Sequence, residues 1–171
     1  MSETSTLKKN ILLAVGIIGL LVFTSALPVN NFLCKNILII IGASFLAVSS
    51  YLEKEYFFAS LECVAIINAL LLLFHVAVYL NTVILIVLVL LIAFLIFQKQ
   101  KITAQLIIGF AGLIFLCLGI IFIQNIFMFI AGILLIIYSY LSVRAGFKVG
   151  WIFLILNIIF AAVALMTLIH R

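Results

Sequence analysis

The chain contains no aspartate at all, one proline, one tryptophan and four acidic residues against nine Lys and Arg. Only 8% of its 171 residues are charged, where a soluble domain carries about 25%. That shortage excludes a soluble fold. The three cysteines, Cys34, Cys63 and Cys117, are odd in number, far apart and without a CxxC. They read as lone small apolar residues, not as a disulfide framework or a thiolate metal site. No HExxH, GxSxG or P-loop occurs, so the enzyme classes with those signatures are set aside and no cofactor is expected. A retinal Schiff base needs a mid-span lysine, and the last apolar stretch has only Lys148, at its edge. No metal site is expected either: His75 and His170 fall near outer helix ends with no Asp or Cys beside them in sequence, and read as interfacial histidines.

What is present is hydrocarbon. The composition is 70% hydrophobic and the mean hydropathy is +1.61. A helix crosses the ~30 Å apolar core with roughly 20 residues. Seven such stretches fill the chain: 10–27, 33–52, 56–74, 78–97, 102–123, 126–143 and 147–169. A β-barrel would alternate apolar and polar residues, whereas Val83 to Phe97 is apolar throughout. Lys8 and Lys9 before the first stretch, with Thr24-Ser25-Ala26 after it, also loosely resemble a signal peptide. The length of that stretch favours a span.

The basic residues are scattered, which argues against a nucleic-acid partner, but their placement orients the chain. With the N-terminus inside, Lys8, Lys9, Lys54, Lys99, Lys101, Arg144 and Lys148 fall in the cytoplasm, and only Lys35 and Arg171 fall outside. The excess of cytoplasmic cations predicts an N-terminus in and a C-terminus out.

The first three stretches resemble the last three. Residues 36–68 align with 125–157 at an offset of 89, with ten of 33 positions identical. Among these are Asn36/Asn125, Ser50/Ser139, Tyr51/Tyr140 and Asn68/Asn157, which count most in a chain so poor in polar residues. Gly16, Gly19 and Leu20 recur as Gly109, Gly112 and Leu113. The expected fold is therefore all-α: a polytopic membrane protein of seven transmembrane helices, with two parallel three-helix repeats (10–74 and 102–169) joined by a linker helix over 78–97.

Arranged so, the chain resembles the superfamily of SWEET sugar transporters and PnuC-type vitamin transporters. The Pro-Gln pair of the PQ-loop group is absent, Pro28 being followed by Val29, and Trp151 has no tryptophan partner. The nearer likeness is to small uncharacterised bacterial inner-membrane members, and no family binding residue carries over. The resemblance implies a multi-pass protein of the bacterial cytoplasmic membrane that moves a small solute through a midplane site.

Four side chains are candidates for such a substrate site. Glu62 is the only acid inside a span, about 9 Å past Tyr56 at 1.5 Å per residue. An intramembrane acid is a functional candidate by default; the alternative is a neutral or hydrogen-bonded side chain near the interface. Trp151 is its partner at the offset of 89, and an acid with an aromatic ring suits a small polar, cationic or aromatic solute. Asn68 and Asn157 fall about 18 and 15 Å into their spans, near the midplane. They either line a pathway or bond helix to helix. Tyr51 and Tyr140 close helices 2 and 6 at the cytoplasmic face, as a gate or as ordinary interfacial tyrosines. Gly146 and Gly150 form a GxxxG read mainly as turn and helix start. Two functions stay open, a solute transporter and a non-transporting scaffold or accessory subunit. The lipid bilayer is the one partner required, and self-association into a homo-oligomer stays open.

Overall fold

The computed structural model describes residues 3–26, 29–99, 101–122 and 124–169. The expectations placed on Pro28, His170 and Arg171 lie outside them. The described residues form seven α-helices: α1 (Glu3–Ser25), α2 (Phe32–Leu52), α3 (Tyr56–Leu73), α4 (Val78–Lys99), α5 (Ala104–Phe122), α6 (Asn125–Arg144) and α7 (Val149–Ile169). α1 starts well before the apolar run. The leading Glu, Leu and Lys residues are good helix formers that an apolar-run reading does not register.

Among the described residues, five helices are long and apolar enough to cross a membrane: Phe32–Leu52, Tyr56–Leu73, Val78–Gln98, Asn125–Arg144 and Val149–Ile169. The apolar parts of α1 (10–25) and α5 (104–119) are shorter. Between 22% and 33% of each long span is buried within the protein, so most of the apolar surface needs another apolar medium. Val83, Val87, Leu90 and Phe94 on α4, for instance, are exposed.

The chain divides into two compact units, Met1–Val76 and Ala77–Arg171. In the first, α1 and α3 both pack on α2, around buried Ala43, Leu46, Phe57 and Phe58. Small residues let the backbones approach, as membrane helices require where burial against lipid gives no driving force. A Cβ on Gly19 would lie 2.9 Å from the Leu46 nitrogen and the Phe45 Cβ. In the second unit, α5 and α7 pack on α6, and α4 lies lightly on α5. There a Cβ on Gly112 would meet Leu135 at 3.0 Å and Leu134 at 3.2 Å. Phe45 and Leu46 stand 89 positions before Leu134 and Leu135.

Each unit also joins its last two helices in the same way. After α2, the Lys54 amide donates to the Tyr51 carbonyl and the Glu55 amide to the Ser50 carbonyl. After α6, Gly146 donates to Val143 and Phe147 to Ser142. Both are Schellman ends, in which a residue at positive φ lets two amides satisfy carbonyls of the last turn. Lys54 holds φ 66° and Gly146 φ 96°. A Cβ on Gly146 would meet nothing within 4 Å, so only the backbone conformation opposes substitution. Gly146→Ala is expected to cost about 1–2 kcal/mol, read as a lowered midpoint in detergent melting. An unchanged midpoint would show that the turn tolerates a Cβ there.

Candidate functional site

Glu62 lies in α3, seven residues beyond the Glu55 end of the turn. It is 1% exposed. Its Oε2 is buried without a hydrogen-bond partner among the described residues. Leaving a buried carboxyl oxygen unmatched is costly, and a charged carboxylate in that state far more so.

Asn157, in α7, is 4% exposed. Its Nδ2 donates to the Ser139 Oγ of α6 at 3.1 Å and makes a long contact of 3.5 Å to the Leu135 carbonyl. Ser139 in turn donates to the Leu135 carbonyl at 2.7 Å. The amide thus ties α7 to α6. Such interhelical bonds are worth about 0.6 kcal/mol on average. Asn68 is half-buried in α3, and Trp151 is 56% exposed at the start of α7.

Within each unit the candidates do not share one face. Glu62 and Asn68 are six residues apart on α3, as are Trp151 and Asn157 on α7. At 3.6 residues per turn, six residues rotate a side chain by about 240°. One member of each pair is accordingly buried and the other is not. The tyrosines behave alike: Tyr51 is 63% and Tyr140 is 50% exposed, and Tyr51 meets Tyr56 edge-on, centroids 5.8 Å apart. Two exposed rings at helix ends suit an interface. His75 holds φ 53° and stacks on Phe32 at 6.0 Å, a local packing role.

Several buried polar groups escaped the sequence reading. Ser49 donates across from α2 to the Leu12 carbonyl of α1 at 2.8 Å. Asn36 turns its amide back to the Phe32 carbonyl at 2.9 Å. Asn81, near the start of α4, is buried. The Ser49-Ser50 doublet was the available signal, since two adjacent hydroxyls in an otherwise apolar span mark a face that meets polar groups rather than lipid. The first unit also carries an apolar hollow of about 310 Å³ lined by Ala47, Val48, Tyr51, Leu52, Ala59 and Cys63. None of the candidate polar residues except Tyr51 borders it.

Five long apolar helices, mostly unburied by the protein itself, make this an integral, membrane-embedded protein. No family model, no curated protein and no solved structure matches the chain.

Proposed function

We propose that the protein is a small-solute transporter or facilitator of the bacterial cytoplasmic membrane, with seven crossings, the N-terminus inside and the C-terminus outside. The observation that carries this reading is the matched construction of the two units. Each has a central helix, a glycine at 19 or 112 seated against residues 89 positions apart, and a Schellman end before its last helix. Duplicated three-helix units joined by a spacer are a transporter architecture. α1 and α5 count as crossings here because a short apolar stretch (10–25 and 104–119) is accommodated by local thinning of the bilayer and by the lysines that flank it in sequence, Lys8, Lys9 and Lys101, which suit the interface. The solute is small and polar, cationic or aromatic, and Glu62, Asn68, Trp151 and Asn157 are the side chains offered to it.

The bond between Asn157 and Ser139 favours a second reading, a scaffold or accessory subunit in which polar groups only join helices. A thermal-shift screen of purified protein against sugars, vitamins and organic cations separates the two. The transporter reading expects a ligand-dependent rise in melting temperature that Asn68→Leu abolishes at a stability cost below about 1 kcal/mol. No shift across the screen would favour the scaffold.

A further inference from the structure

The two helix pairs that end in Schellman turns are built to one plan but to different lengths. In the first unit Ser50 lies five residues before Glu55, and Glu62 lies seven after it. In the second, Ser139 lies eight residues before Phe147, and Asn157 lies ten after it. The second pair is longer by three residues on each side of its turn. In both, the residue on the returning helix stands two residues further from the turn than the serine, about 3 Å along the axis. The offset of 89 that holds for α2 and α6 therefore becomes 95 for α3 and α7. Burial agrees. At 95, Phe58 pairs with Phe153, Leu61 with Leu156 and Ala69 with Ala164, all buried. At 89, buried Glu62 is set against exposed Trp151.

In this register Glu62 takes the place of Asn157. The serine frames match, since Ser50 donates to the Leu46 carbonyl at 2.7 Å as Ser139 does to Leu135. Both hydroxyls have thereby spent their proton and are left as acceptors. Asn157 meets its acceptor with an N–H. A carboxylate has no hydrogen to offer; a protonated carboxyl has one. We propose that Glu62 is a proton-binding site, and that with its proton bound it clasps α3 to α2 through the Ser50 hydroxyl as Asn157 clasps α7 to α6. Ionised, it sets an acceptor against acceptors in apolar surroundings, and the clasp is lost.

No other titratable group on these helices is placed to answer it. α2 carries none between Lys35 and Tyr51. On α3, Cys63 is adjacent but exposed, and none follows before His75. Tyr51, Glu53, Lys54, Glu55 and Tyr56 cluster at the turn, and Cys34 and Lys35 lie at the far end of α2. The proposal does not depend on transport; if the chain does transport, the proton at Glu62 is its coupling ion.

The test reads the melting temperature of the purified full chain in nanodiscs from mildly acidic to mildly alkaline pH. The wild-type value is expected to hold at the acid end and fall as the proton leaves. Glu62→Gln, a permanent neutral donor, should stay at the acid value throughout. Ser50→Ala should lower the acid value and shrink the fall. Equal pH dependence in wild type and Glu62→Gln would overturn the proposal. Should the Gln variant fail to fold, the protonated-carboxyl infrared band decides, read with Glu3, Glu53 and Glu55 replaced by Gln. The band should be present at the acid end and bleach with rising pH, and its absence at the acid end would equally overturn the site. Neither measurement involves a solute, so a failed ligand screen and a failed proton site remain distinguishable.

Discussion

Gly42→Leu is expected to be the most damaging single substitution in the first unit. A Cβ at position 42 would lie 2.5 Å from the Phe23 nitrogen and 2.8 Å from its Cα. These are backbone atoms of α1, which no rotamer change can move aside. Overpacking a core typically costs 1–3 kcal/mol where side chains yield, so a clash with backbone belongs at or beyond about 3 kcal/mol. Gly112→Ala is the control. Its Cβ would meet only Leu135 and Leu134 side chains at 3.0–3.2 Å, which can give by a few tenths of an ångström, and its cost should stay below about 1 kcal/mol. Both are read by thermal unfolding in one detergent. A Gly42→Leu protein melting with wild type, or melting no lower than the Gly112→Ala protein, would show that the α1–α2 contact is not the tight one.

Labelling of Cys34 is expected to be all-or-none. Cys34 lies in the first turn of α2 and is exposed, and the proposed topology has that end outside. In a background with Cys63 and Cys117 replaced by Ser, a membrane-impermeant maleimide applied to intact cells should label Cys34 fully. In a further variant with Cys34→Ser and Lys54→Cys, it should label the new thiol only after the membrane is opened. The reverse pattern would invert the topology. Labelling of both from outside would remove an odd number of crossings between them, and the seven-span arrangement with it.

The helices were legible because long apolar runs in a chain with so few charges have only one use. Their ends were less so. α1 reaches back to Glu3 through polar residues that make helix without making apolar pattern. The Ser50/Ser139 match was legible too, and both serines are buried and bonded to the carbonyl four residues before. Glu62 was visible as the one acid in a span, but its lack of a partner was not. Asn157 was visible as a midplane amide, but sequence alone left open whether it faced a solute or Ser139. A constant offset also cannot follow two helix pairs of unequal length: six extra residues around a turn slide one helix against its counterpart while every identity count stays modest. That is why Trp151, rather than Asn157, stood opposite Glu62 in the aligned sequences.

The hydroxyls returned to their own helices bear on how the chain enters the bilayer. Ser44, Ser50, Ser60, Thr82 and Ser139 each donate to the carbonyl four residues earlier. A segment that satisfies its hydroxyls internally carries no unmet donor when it leaves the insertion machinery. Each of these hydroxyls is therefore met before any neighbouring helix is in place, whereas Ser49 of α2, which donates to the Leu12 carbonyl, waits on α1. Glu62 is a second such group: its Oε2 finds no partner within α3, so under the proposed clasp its residence waits on Ser50 of α2. The order of the chain, α2 before α3, provides for this.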